Sequence, residues 1–151
     1  MQNLKPMNSK EKKQVFEMLK SQYGFDEKLD YVFFFNEKEQ KLFIANPEIS
    51  QQALESFNLN SVGLYFGQFY KEHLRLSIEG SQIVGPKANK NILILDEHQK
   101  LEWLKGTDLD ISEEEGFYLI KSGNDFLGTG KISGSKLFNF VPKARRVTDI
   151  S

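Results

Sequence analysis

Two apolar runs, GFYLIKS (116–122) and DFLGTGKIS (125–133), face each other across Gly123–Asn124. Glycine and asparagine adopt positive backbone angles at the least cost, so the string predicts a tight hairpin. The neighbouring segments are equally short. NILILD (91–96) reads as a buried strand. EHQKLEWLKG (97–106) reads as a short helix, with Leu101 and Leu104 three apart and Gly106 at its C-terminal end. SKLFNFVPKARRV (135–147) reads as a final strand. Short strands spaced by turn residues predict a small mixed or closed barrel rather than a parallel sheet.

The first half is patterned differently. NSKEKKQVFEMLKSQYG (8–24) carries Val15, Phe16, Met18, Leu19 and Tyr23 at helical spacing. Asn8 or Ser9 can cap that helix and Gly24 can end it. LDYVFFFNEKEQKLFIAN (29–46) predicts two strands joined by a polar turn. PEISQQALESFN (47–58) predicts a short helix with Pro47 in its first turn and Ile49, Ala53, Leu54 and Phe57 on one side. SVGLYFGQFYKEHLRLSI (61–78) reads as strand, where Gly63 and Gly67 allow bulges or close backbone approach. EGSQIVGPKANKN (79–91) reads as a turn or short helical piece broken by Gly80, Gly85 and Pro86. The GPKANK string within it is the best boundary, dividing the chain into 1–89 and 90–151.

At 151 residues the chain has room for one ordinary domain or two small ones. The longest apolar runs, such as YVFFF, fall far short of a membrane helix, and the polar start MQNLKPMNSKEKKQ does not read as a signal peptide. A cytoplasmic protein with no membrane partner is the expectation. With no cysteine, disulfides, thiol catalysis and thiolate metal sites are excluded. Charge is uneven along the chain. Residues 121–151 hold six Lys and Arg against two Asp, a net of +4, whereas residues 1–120 carry −5. Such asymmetry points to a polyanionic partner.

No catalytic set emerges. His73 and His98 sit in no metal-ligand pattern; His98 fits a helix surface, and His73 fits a structural role or an RNA contact. Asp108, Asp110 and the Glu113–Glu115 run read as a solvated acidic loop, since their spacing is not that of a calcium loop. GTGKISG (128–134) lacks the spacing of a Walker loop and is followed by no helix pattern, so its glycines are expected to bend a strand or let it pack closely. No cofactor and no metal are expected. Lys131, Lys136, Lys143, Arg145 and Arg146 can reach phosphates. Phe138 and Phe140 alternate on the last strand and are expected to face the core.

Taken in order, WLKGTDL (103–109), EGFYLIKSGNDFLGTGKISG (115–134) and FVPKARRV (140–147) resemble a PUA domain, the small RNA-binding pseudo-barrel of pseudouridine synthases, archaeosine transglycosylases and ribosome-biogenesis factors. The likeness covers about 90–147. Upstream, VGLYFGQFYKEHLRLSIEGSQIVGPKANKNILI (62–94) is similar to the pre-PUA segment of the Nip-seven family of ribosome-biogenesis proteins. Archaeal NOL/NOP/Sun-type relatives look similar too. The resemblance implies an α+β protein with an N-terminal α/β pre-PUA domain and a PUA-type mixed β pseudo-barrel. It implies a non-catalytic RNA-binding protein of pre-rRNA processing or ribosomal-subunit biogenesis. It places RNA contacts on Lys105, Gly106 and Thr107 at the turn after the helix, and on Lys143, Arg145 and Arg146 of the closing strand. Lys71, His73 and Arg75 are secondary candidates, or part of an interface with ribosome-assembly proteins. Alternatives are an adaptor between assembly factors and an RNA-binding subunit acting in trans with an rRNA methyltransferase.

Overall fold

The computed structural model describes residues 4–48 and 63–147. Strand β1 (Lys5–Pro6) leads into helix α1 (Ser9–Tyr23), and strands β2 (Val32–Asn36), β3 (Lys41–Ala45), β4 (Leu64–Tyr70) and β5 (His73–Leu76) follow. These five strands form one antiparallel sheet in sequence order. Asn8 caps α1 through a capping box with Glu11, and Gly24 ends it at φ 66°. Val15, Leu19 and Tyr23 turn the helix's apolar stripe onto the sheet. The helix expected over 47–58 lies largely outside the described residues. The single strand expected over 61–78 is two strands. The chain turns at Lys71, which takes φ 56°. None of the usual turn residues marks that corner, so the hairpin is silent in the sequence.

Helix α2 (Ile78–Val84), capped by Ser77, runs into a 3-10 turn at Gly85–Lys87. Beyond it come β6 (Ile92–Ile94), helix α3 (Glu97–Leu104), β7 (Gly116–Ser122), β8 (Asp125–Ser133) and β9 (Lys136–Asn139). The second sheet has the order β6-β7-β8-β9. The β6–β7 pair is parallel, with α3 in the crossover, and the other pairs are antiparallel. A bridge between Leu109 and Leu137 adds the segment after α3 to the β9 edge. The fold class is α+β, as the resemblance implies.

Several local expectations shift. In NILILD, Leu93 and Leu95 are buried but Ile94 is 70% exposed, so β6 covers the core with one face only. In α3 the core residue is Trp103, whose indole N–H donates to the Leu127 carbonyl at 2.9 Å, while Leu101 is exposed. At the β7–β8 turn Gly123 alone has positive φ, which is the pattern of a type II′ corner. Of the glycines of GTGKISG, Gly130 gives the close packing expected, while Gly134 stands in the turn after β8 with open space around it. A Cβ on Gly130 would stand 2.7 Å from Leu137 Cδ1 and 2.8 Å from Trp103 Cη2.

Two cores meet at β7 and β8. Leu119 and Phe126 face a cluster with Leu19, Phe33, Phe66 and Leu74 of the first half. Their chain neighbours Ile120 and Leu127 face a cluster with Trp103, Ile132, Leu137 and Val141. Consecutive strand residues point to opposite faces, so a strand covered on both sides must be apolar almost throughout. This accounts for the near-continuous burial of β8. Polar groups on the seam are paired. The Leu76 N–H donates to Thr129 Oγ1 at 3.1 Å, and the Gly128 N–H donates to Ser81 Oγ at 2.8 Å.

Candidate nucleic-acid interface

The α3 C-terminus and the C-terminal segment lie side by side. At the end of α3, the Gly106 N–H donates to Trp103 O at 2.9 Å and the Thr107 N–H to Glu102 O at 3.1 Å. Gly106 takes φ 89°, a conformation that side-chain-bearing residues rarely adopt. The Val147 N–H donates to Leu104 O at 2.8 Å, which ties the segment after Pro142 to this turn. Lys105, Gly106 and Thr107 therefore sit beside the 143–147 segment.

The segment itself is not a strand. β9 stops at Asn139, and Lys143–Arg145 form a 3-10 turn. The reason lies in the sequence. Pro142 offers no N–H to a ladder. Asn139 satisfies the backbone in another way: its Oδ1 accepts from the Val141 N–H at 2.7 Å, and its Nδ2 donates to Trp103 O and Thr107 O. A turn spreads three neighbouring cations differently from a strand. Lys143 is exposed. Arg145 pairs with Glu79 of α2. Arg146 is half-buried, and its Nε–H donates to Val141 O at 3.0 Å. The guanidinium of Arg146 thus holds the turn in place as well as lending charge to it.

The acidic loop is partly neutralised. Asp108 Oδ1 accepts from the Asn139 N–H at 2.8 Å, Asp110 lies 3.8 Å from Lys136, and Glu115 accepts from the Gly134 N–H at 3.2 Å. Among the described residues no group of acidic or histidine side chains is arranged to hold a metal ion. No described helix is long and apolar enough to cross a membrane.

Lys71, His73 and Arg75 lie elsewhere, on the β4–β5 hairpin where it faces the second sheet. His73 lies 4.8 Å from the Phe117 ring, centre to centre. Arg75 stacks on Phe140 with its Cζ 4.1 Å from the ring centre, and its Nη2 donates to Gln68 Oε1 at 2.7 Å. Lys71 sits over Tyr70 at 5.8 Å. Arg75 and Arg145 also line one cavity of about 240 Å³, so of the three hairpin residues Arg75 borders a common groove with the C-terminal turn, while Lys71 and His73 do not line it.

Phe138 and Phe140 are not core residues. Phe138 is 38% exposed, and Leu137 and Val141 take the inward positions. The two rings share one face, but the expectation that it is the core face fails: Leu137 and Val141 are the pair packed with Trp103 and Ile132.

Residues 4–78 match the family model of the NIP7/UPF0113 pre-PUA domain, and residues 90–147 match that of the methyltransferase RsmF PUA domain. The chain has the NIP7-like pre-PUA plus PUA architecture. No curated protein matches it. In NIP7-like terms, the β1–β5 sheet with α1 belongs to the pre-PUA match, and the β6–β9 sheet with α3 belongs to the PUA match. Domains of these two kinds in tandem suggest an RNA-binding role in ribosome biogenesis.

Proposed function

We propose that this NIP7-like chain is a non-catalytic, cytoplasmic RNA-binding factor that acts on precursor rRNA during processing or ribosomal-subunit biogenesis. The observation that carries the reading is the tandem of matches to a NIP7-type pre-PUA domain and a PUA domain. The cations beside the α3 turn give the tandem a means of attachment. Lys143 and the partly engaged Lys105, Arg145 and Arg146 supply charge-assisted hydrogen bonds to phosphates, with Lys105 also 3.5 Å from Glu102 and with Gly106 and Thr107 letting a backbone approach. The boundary between the two working parts falls at 89/90 in this reading. Crosslinking in cells followed by sequencing of the attached RNA tests it. Enrichment of precursor rRNA is expected, and recovery of no RNA above background would sink it.

The match of 90–147 to a methyltransferase PUA domain favours one second reading, an RNA-binding subunit that serves an rRNA methyltransferase in trans. Adding the protein to such an enzyme and measuring rRNA methylation separates the two. A third role, an adaptor between assembly proteins, would leave partner proteins bound after nuclease treatment of a lysate.

A further inference from the structure

A second cavity, of about 310 Å³, opens between the β4–β5 hairpin and the outer face of the β7–β9 sheet. Strand register builds its floor. Phe117 of β7 pairs with Lys131 of β8, and Lys131 pairs with Phe138 of β9, so the three side chains form one row across the sheet. Tyr70 and Arg75 come from the hairpin, and Phe140 follows β9. The rings are gathered around Phe117: Tyr70 lies 6.1 Å away and Phe140 6.4 Å away, centre to centre. Lys131 Nζ sits 5.8 Å from the Tyr70 ring centre and 5.5 Å from that of Phe117. No carboxylate lines the cavity.

Packing alone does not account for this arrangement. Tyr70 is 47% exposed and Phe138 38%, and these two large apolar side chains flank the same opening. A sheet face meant for solvent would carry polar side chains at these positions. The volume lies near the lower end of the range for small-ligand sites, roughly 300–1,000 Å³. Aromatic faces with cations between them, and no competing anion, match the chemistry of an unstacked base attached to phosphate. We infer that the Tyr70–Phe117–Phe138 cavity takes unstacked bases of a single-stranded RNA segment, with Lys131 and Arg75 beside its backbone. Arg75 and Phe140 also line the neighbouring cavity that holds Arg145, so a strand bound here is led toward the C-terminal turn. The inference builds on the RNA-binding reading and adds a second contact, on the seam between the pre-PUA and PUA halves.

The test uses the full chain and two probes of equal length: a single-stranded RNA decamer and an abasic decamer with the same phosphate backbone. Wild-type protein is expected to bind the base-bearing strand more tightly. The exposed pair Tyr70→Ala and Phe138→Ala is expected to lose roughly 5- to 150-fold per stacked base on that strand, and to bind the abasic strand unchanged. Lys131→Gln is expected to weaken both and to flatten the salt dependence by about 0.7 in log–log slope. A double variant that still prefers the base-bearing strand as wild type does would overturn the inference. So would wild-type protein that binds both strands alike, the result expected if the cavity serves a protein partner. In both cases a loss of affinity in Lys143→Ala would leave the RNA-binding reading standing. Wild-type protein that binds neither strand nor precursor rRNA would remove both.

Discussion

Arg146 occupies the space that a side chain on Gly106 would need: a Cβ there would come within 2.5 Å of Arg146 Cδ. The contact locks the C-terminal turn over the end of α3. Gly106→Ala must both adopt φ 89° and push Arg146 aside. The backbone conformation alone costs about 1–2 kcal/mol. A fall in melting temperature of roughly 2–8 °C is expected for a chain of this size. An unchanged melting temperature would show that the turn is not held this way. In RNA titration the same variant should bind more weakly, because the displaced segment carries Lys143 and Arg145.

The three cations of the turn should differ in how they fail. Lys143→Ala removes an exposed charge, so it should weaken RNA binding, lower the salt slope by about 0.7–0.9, and leave stability nearly unchanged. Arg146→Ala should lower both affinity and stability, because it also frees the Val141 carbonyl. Arg145 is partly engaged by Glu79, whose side chain is 27% exposed. Glu79→Gln should release it and strengthen RNA binding by about two- to fivefold, the scale of a surface ion pair. Weaker binding by Glu79→Gln would mean that the pair orients Arg145 for its ligand.

Gly130→Ala tests the packing behind this edge. The added methyl would meet Leu137 and Trp103, both fully buried. Overpacking of this kind costs about 1–3 kcal/mol. Urea unfolding should show a lower midpoint with an unchanged slope. A midpoint equal to that of the wild type would mean that the β8–β9–α3 packing is looser than its geometry.

Alkaline pH should unfold the protein partly through Tyr23. Burial pushes its phenol well above the usual tyrosine value of 10.0, with hydrogen bonds to Thr129 and Gln22 opposing the shift. The hydroxyl donates to the Leu74 carbonyl at 2.7 Å, and ionising it in place would forfeit that bond and leave a phenolate out of reach of water. A raised folded-state pKa for an acid means that the native state favours the protonated form. That contribution is whole below the unfolded-state pKa near 10 and is lost as pH rises above it. Above roughly pH 10, wild-type stability should fall more steeply with pH than that of Tyr23→Phe. At pH 7 the variant should be less stable by about 1 kcal/mol for the lost hydrogen bond. Parallel curves for the two proteins would remove Tyr23 from the alkaline transition.

Legibility in the sequence tracked how local each cause was. An N-cap at Asn8 or Ser9, the Gly24 terminus and a Gly123–Asn124 corner are set by neighbours within a turn and were readable; the structure chooses Asn8, adds Glu11 to its capping box and leaves positive φ to Gly123 alone. The Lys71 corner was not, because a lysine at φ 56° carries no turn signature. The end of β9 was hidden in a different way. Pro142 was visible, but the bonds that Asn139 makes to Trp103 and Thr107 span more than thirty residues. The aromatic cavity was the least legible part. Phe117, Lys131 and Phe138 are separated in the chain and joined only by register, and Tyr70 arrives from the other sheet. Alternation paired Phe138 with Phe140, but placing that pair in the core was wrong, because alternation alone carries no sign of which apolar face is covered.

The two-sided burial of β7 and β8 bears on how portable the second half is. Severing the chain at 89/90 would strip Leu119 and Phe126 of the side chains that cover them, and Gly85 with its close approach to the Phe126 ring would go with the other piece. The C-terminal half is thus not a cassette that could be moved intact to another protein. It shares a dividing wall with its neighbour, and any exchange of one half in a lineage would have to bring a matching face on the other.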